Sequence, residues 1–169
     1  MKVTIIGTGY VGLVSGICFS EFGFQVTCVD LDSSKIDALN AGILPIYEPG
    51  LDRLMEENRA RLTFTTDFDA AVAEADVVFI AVGTPSRRGD GEADLQYVHT
   101  AARQIARAMK PDTVIVLKST VVVGTNAEVR RIIEAERPGV AFSLASNPEF
   151  LREGSAIEDF MRPDRVVVG

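Results

Sequence analysis

One histidine and two cysteines are all that the sequence offers of the softer metal ligands. Cys18 and Cys28 lie ten residues apart, outside C-x-x-C spacing, and His99 cannot complete a zinc set with them. No metal site is expected, and both thiols read as small apolar core residues held reduced. Runs rich in Lys and Arg are also missing. With 17 Lys+Arg against 24 Asp+Glu and a formal charge of −7, the chain is no coat for nucleic acid, and its acidity serves solubility. Low-complexity tracts, internal repeats and linkers are lacking too. What remains is 169 residues, 47% hydrophobic and 24% charged, which suits one domain with a sizeable core. A disordered tail, a fibrous protein and a disulfide-framed mini-protein are excluded.

Charge is absent from one stretch, Val3 to Ser20 behind Lys2, which has the outline of a signal peptide or a membrane span. Gly12 and Gly16 would even suit a packed transmembrane pair. Yet Gly7, Gly9, Gly12 and Gly16 interrupt the stretch, and no small-residue cleavage site follows. Its first half is β-branched and its second half is not, which predicts a strand, a turn and a helix. No membrane partner and a cytoplasmic location are therefore expected.

Elsewhere, short apolar runs alternate with helical spacing. The runs are Val3–Ile6, Val26–Val29, Leu62–Phe64, Val77–Val82, Val114–Leu117, Ala141–Ala145 and Val166–Val168. Most lack polar alternation, as strands covered on both faces do. Between them, Leu95, Val98, Ala102, Ile105, Ala106 and Met109 mark one helical face that stops before Pro111. Thr125 and Glu128 have capping-box spacing ahead of Val129, Ile132 and Ile133, and Pro138-Gly139 ends that helix. Ser33 or Ser34 can cap a helix carrying Ile36 and Leu39 that Gly42 terminates, and Asp67 can cap a short segment to Ala75. Strands alternating with helices predict a Rossmann-type, doubly wound α/β fold, mostly parallel, with helices on both faces. The longest stretch without periodicity, Gly83 to Ala93, holds Arg87-Arg88 and the turn pair Asp90-Gly91 and is expected to be a functional loop.

Gly7-Thr8-Gly9-Tyr10-Val11-Gly12 is G-x-G-x-x-G, and its setting gives it weight. It follows the first predicted strand and opens a helix carrying Leu13, Ile17 and Phe19. The second predicted strand ends at Asp30, close to the roughly 20-residue spacing expected for a ribose-binding acid. Gly7 permits the tight turn, Gly9 lets backbone approach a pyrophosphate, and Gly12 lets helix pack on strand. The helix N-terminus then offers free N–H groups and a positive dipole to phosphate. Asp30 can accept both ribose hydroxyls and would repel a 2′-phosphate, which favours NAD over NADP. Lys35 either reaches the adenosine end or stays solvated.

Ligands in such sheets sit at the carboxyl ends of the strands. The fourth predicted strand ends Ala81-Val82-Gly83-Thr84-Pro85, the fifth Lys118-Ser119-Thr120, and the sixth Ser146-Asn147-Pro148-Glu149-Phe150-Leu151-Arg152-Glu153-Gly154. A polar site with Thr84, Ser119, Thr120, Asn147, Glu149 and Glu153 is expected there. Glu149 and Glu153 would share one face if their segment is helical, where they could share a proton or position a water, or they are simply surface charge.

With the glycine turn, these tips resemble the UDP-glucose/GDP-mannose dehydrogenase family of NAD-dependent nucleotide-sugar dehydrogenases, and its UDP-glucose 6-dehydrogenase branch most closely. The matching segments are Gly7–Gly12, Pro45–Leu51 (PIYEPGL), Ala81–Pro85, Ala93–Val98, Lys118–Thr125, Asn147–Gly154 (NPEFLREG) and Asp159–Gly169. They run in order along the whole chain. Tyr47 to Leu51, with Pro163-Asp164-Arg165, lean toward UDP-glucose rather than GDP-mannose.

The resemblance implies an oxidoreductase of polysaccharide precursor synthesis that oxidises C6 of a nucleotide-linked hexose twice. UDP-glucose would become UDP-glucuronate at the expense of two NAD, through a cysteine thiohemiacetal and then a thioester. It implies that Gly7, Gly9, Tyr10, Val11, Gly12, Asp30 and Lys35 hold the adenosine pyrophosphate, and that Val82, Gly83, Thr84, Pro85, Ser119, Thr120 and Glu153 line the rest of NAD. Thr120 would position the catalytic water, and Glu149 would act as acid/base in thioester hydrolysis. Glu149, Phe150, Leu151, Arg152 and Glu153 would border the sugar.

Two departures qualify the match. Val122 stands where the family usually has proline, which leaves a free N–H and a less fixed φ beside Thr120. The family's nucleophilic cysteine and its oxyanion-stabilising Lys/Asn pair have no counterpart here. Residues 1–169 are thus expected to form the NAD-binding domain alone, without the central helix and the substrate domain, and to bind NAD without turnover. The full-length enzyme is expected to be a homo-oligomer. The alternatives are a GDP-mannose or UDP-N-acetylhexosamine dehydrogenase of the same family, and a non-catalytic NAD-binding module.

Overall fold

The computed structural model describes residues 1–86 and 93–169. The expected Arg87-Arg88 and Asp90-Gly91 features lie outside the described residues. On their flanks Ser86 bridges Ala93 antiparallel, and Asp94 N–H donates to the Pro85 carbonyl at 2.8 Å.

Six strands form one sheet: β1 (Lys2–Ile6), β2 (Gln25–Val29), β3 (Leu62–Thr65), β4 (Val77–Ile80), β5 (Thr113–Leu117) and β6 (Phe142–Ser146). Their order is β3-β2-β1-β4-β5-β6, and every pairing is parallel. Between strands run α1 (Tyr10–Glu21), α2 (Ser33–Asn40), α3 (Leu51–Glu57), α4 (Phe68–Ala73), α5 (Gln96–Ala108) and α6 (Thr125–Glu136), with α7 (Ala156–Met161) after β6. The architecture is the doubly wound Rossmann type that the alternation predicts.

Successive side chains of a strand face opposite ways, so the sheet feeds two cores. On one face Val3, Ile5, Val26, Cys28, Phe64, Phe79 and Val116 pack with Leu13 and Ile17 of α1, Leu39 of α2, Leu51 and Met55 of α3 and Ala156 of α7. On the other, Ile6, Val29, Val78, Ile80, Ile115 and Leu117 meet α4, α5 and α6 through Val72, Val98, Ile105, Val129 and Ile133. Fully burying one such Leu, Ile or Val contributes about 1.5–3 kcal/mol, so the two cores hold the helices against the sheet. Cys18 and Cys28 are both buried free thiols.

The structure corrects several expectations. Strands β2 and β3 are not covered on both faces, because α4 is short. Thr4, Thr27, Thr63 and Thr65 therefore line an open groove with Asp67 and Glu74. β4 stops at Ile80 instead of Val82, and β6 begins one residue later than its apolar run. Val166–Val168 form no strand and stay exposed, although Ser146 and Gly169 exchange both backbone hydrogen bonds as one antiparallel pair does. Neither Ser33 nor Ser34 caps α2. Asp32 does, its Oδ1 accepting from the N–H groups of Ser34 at 3.0 Å and Lys35 at 3.3 Å. The capping box at Thr125 does not form. Gly124 enters α6 at φ 97°, and the Thr125 hydroxyl turns back to the Val122 carbonyl at 2.8 Å. Asp67 caps α4 as expected, accepting from Ala70 N–H at 3.1 Å.

Candidate functional site

Because all strands are parallel, the turns after β1, β2, β4, β5 and β6 gather along one edge of the sheet. The strand order reverses between β1 and β4, the switch point at which sheets of this kind bind ligands. Gly7 and Ala81, which follow these two strands, meet at that point. A Cβ on Gly7 would lie 2.7 Å from the Ala81 carbonyl oxygen, and its φ of 102° is one that side chains rarely adopt. A Cβ on Gly12 would lie 2.0 Å from the Gly7 carbonyl oxygen, so only glycine lets α1 descend onto the turn. Gly9 differs from both: a Cβ there would meet nothing within 4 Å. It is the N-cap of α1 and makes no side-chain cap, so the first N–H groups of the helix have no capping side chain. An open cradle of donors at a twelve-residue helix's positive end fits a pyrophosphate.

Asp30 stands beside it at the tip of β2. Its Oδ2 accepts from the Thr8 N–H at 2.9 Å and the Thr8 hydroxyl at 2.6 Å, and its Oδ1 accepts from Asp32 N–H at 3.0 Å. Lys35 Nζ lies 3.9 Å from Oδ2, which brings both expected adenosine-end residues together. Burial alone would raise the Asp30 pKa. The hydrogen bonds from Thr8 and Asp32, with the Lys35 charge, outweigh it and hold the carboxyl below the ordinary aspartate range. Asp30 is thus an ionised acceptor, as ribose recognition needs. Thr8, buried and aimed at Asp30, is a positioning group that the motif's variable position concealed.

The β4 and β5 tips interlock. Ser119 donates its hydroxyl to the Val82 carbonyl at 2.6 Å, with the Ile80 carbonyl as a longer partner at 3.2 Å, and Thr84 donates to the Thr120 carbonyl at 3.0 Å. Val82, Gly83, Thr84, Pro85, Ser119 and Thr120 therefore form one cross-braced wall, with Gly83, Pro85 and Thr120 exposed. Lys118, at the same tip, is buried, and its ammonium donates to Asn147 Oδ1 at 2.9 Å. Burial lowers its pKa, against the pull of the Glu149 charge.

After β6 the chain does not form the helix that would stack Glu149 on Glu153. It loops from Asn147 to Ser155, with Gly154 at φ 85°, before α7 begins. Glu149 instead accepts from Leu151 N–H at 2.6 Å through Oε2. Arg152 is not a free cation: its guanidinium makes a two-pronged pair with Asp159 at 2.6 and 3.1 Å. Half-exposed Phe150 lies under Arg165, 4.9 Å from its ring centroid. Glu153 is exposed and close enough to Tyr10 for its charge to act on that hydroxyl.

Glu48 is the group that sequence reasoning passed over. It lies within PIYEPGL, is buried, and accepts from the Tyr10 hydroxyl at 2.6 Å, Gly154 N–H at 2.8 Å and Ala156 N–H at 2.9 Å. Burial alone would raise its pKa, but these donors and Ile157 N–H hold it below the ordinary glutamate range. Nothing local to PIYEPGL marks this acid, because its partners lie 38 and 106 residues away.

The chain matches, over residues 1–169, the family described as UDP-glucose/GDP-mannose dehydrogenase family, NAD binding domain. A curated relative from Rhizobium meliloti (strain 1021), named UDP-glucose 6-dehydrogenase, is 63% identical over all of this chain. The chain spans 39% of that relative's length. Among solved structures, a UDP-glucose dehydrogenase from the hyperthermophilic archaeon Pyrobaculum islandicum superposes with a TM-score of 0.94 at 46% identity, covering 99% of this chain and 40% of that one. A GDP-mannose dehydrogenase from Pseudomonas aeruginosa, solved as a ternary complex, gives 0.93 at 44%, covering 100% and 41%. The glycine turn at the switch point, the ionised Asp30 and the match along the full length agree: the chain belongs to the UDP-glucose/GDP-mannose dehydrogenase family, as its NAD-binding domain.

Proposed function

We propose that this chain is the cofactor-holding part of an enzyme that oxidises the C6 hydroxyl of UDP-glucose to the acid, using two NAD. The observation that carries the cofactor reading is the open helix N-terminus above Gly9, beside an Asp30 carboxylate held ionised. NAD, when bound, supplies a two-electron hydride acceptor. Tyr10, Val11 and Gly12 offer their N–H groups to its pyrophosphate, and Asp30 accepts from ribose hydroxyls while Lys35 flanks it. The wall of Val82, Gly83, Thr84, Pro85, Ser119 and Thr120 lines the reacting end. Thr120 orients a water there. Glu149, steadied by Leu151 N–H, holds or releases the proton of that water during thioester hydrolysis. Phe150, Leu151 and Glu153 border the sugar, and Arg152 shapes that border through Asp159 rather than by direct contact. The UDP-glucose assignment is favoured by the name of the 63% identical relative.

Cys18 and Cys28 are both buried, and burial pushes each thiol up to about 12. Neither can trap an aldehyde, so residues 1–169 hold no nucleophile for the second oxidation, and NAD binding without turnover is the expectation. Calorimetric titration of the chain with NAD tests this. Binding is expected, Asp30→Ala weakens it more than tenfold by removing a charged acceptor, and no NADH forms with UDP-glucose. NADH production by the chain alone, or an unchanged dissociation constant in the variant, overturns the corresponding half of the reading.

A further inference from the structure

Glu48 touches both halves of the site and belongs to neither. Its Oε2 receives the Tyr10 hydroxyl, and Tyr10 is the first residue of α1, directly after Gly9 at the pyrophosphate cradle. The same oxygen receives Gly154 N–H, and Oε1 receives Ala156 N–H, from the end of the loop that carries Glu149 to Glu153. One carboxylate, 5% exposed, thus ties segments 38 and 106 residues away from it in sequence. A charged acceptor buried among three donors makes short, stiff contacts and leaves all three unpaired if it moves. Gly154 and Ala156 spend their N–H groups on Glu48, and Tyr10 spends its hydroxyl there.

We infer that Glu48 is a positioning residue that transmits cofactor occupancy at the α1 N-terminus, through the Tyr10 hydroxyl, to the backbone of the loop ending at Gly154. The proposal rests on the NAD reading above and deepens it. Phosphate drawn onto the first turn of α1 shifts Tyr10, and Glu48 carries the shift to the loop that bears the proposed acid/base Glu149. The two halves then move together, so that seating the cofactor adjusts the loop through Glu48.

The test follows backbone amides in the 15N-labelled chain as NAD is added. In the unaltered chain, resonances of Thr8 to Val11 and of Gly154 and Ala156 move together, with one dissociation constant. In Tyr10→Phe, which keeps the ring and removes only the hydroxyl, the glycine-turn resonances still move, while those of Gly154 and Ala156 lose most of their response. Glu48→Gln and Tyr10→Phe each weaken NAD binding roughly three- to tenfold, and the double variant is no weaker than the worse single one. Undiminished Gly154 and Ala156 shifts in Tyr10→Phe, or multiplying losses in the double variant, overturn the proposal. A chain whose glycine-turn resonances ignore NAD overturns the cofactor reading itself, and this proposal with it.

Discussion

At the residue scale, Gly12 shows how much one missing methyl decides. Its Cβ would fall 2.0 Å from a backbone oxygen that cannot rotate away. Gly12→Ala is expected to destabilise the chain by about 1–3 kcal/mol or more, read from urea unfolding, whereas Gly9→Ala leaves stability nearly unchanged because its Cβ meets open space. Equal losses in the two variants would contradict the close-approach account. The thiols give a second expectation. Burial pushes the thiols of both Cys18 and Cys28 up from 9.0 to about 12. A raised pKa contributes stability that is full below about 9 and is lost as pH climbs toward 12. A thiol reagent at pH 8 should label neither cysteine in the folded chain and both in urea; labelling without denaturant would contradict their burial. The glycines and Asp30 were legible in the sequence because backbone geometry and motif spacing demand those residue types. Thr8 and Glu48 were not, since their roles arise from partners 22 and 106 residues away.

At the scale of the element, long amphipathic helices declared themselves by their period, and short ones such as α2 and α4 only where a capping residue marked them. The buried positions Val98, Ala101, Ala102, Ile105 and Ala106 of α5 repeat at helical spacing over thirteen residues. α3 and α7 have seven and six residues, too few to show a period, and they persist because Leu51, Met55 and Ala156 are buried against the first core. Caps proved local in a finer sense than residue type. The backbone at Asp32 is extended and its carboxylate reaches two N–H groups, so Asp32→Ala should lower stability by about 0.5–2 kcal/mol. Ser33→Ala should cost much less, and chemical denaturation of the two variants compares them; a larger loss at Ser33 would reverse the assignment. At α6 the left-handed Gly124 places Thr125 already inside the helix, where its hydroxyl points back at Val122 rather than forward. Glu128 is thereby left free to pair with His99 of α5 at 3.1 Å.

For the whole molecule, the acids that brace the site set its response to pH. Asp30, Glu48 and Asp159 all sit below their ordinary values because donors or cations stabilise their ionised forms. Depressed carboxyl values contribute stability above the unfolded pKa of about 4, and that contribution is lost as pH falls through the folded values. The urea midpoint should hold from pH 7 to about 5 and drop below about 4, less steeply in Glu48→Gln. A midpoint indifferent to acid would show that these carboxylates are not held ionised. Sequence alone determined the strand order's raw material, the glycine turn, Asp30 and the family, because alternation of apolar runs, steric need for glycine and contiguous motifs are properties of neighbours along the chain. Only the tertiary structure decided that β2 and β3 carry a bare threonine face, that Glu149 and Glu153 part company, that Arg152 turns to Asp159, and that Glu48 joins α1 to the loop after β6. Each of those outcomes depends on which distant groups come within about 3 Å, and hydrogen bonds at that range are set by packing rather than by local spacing.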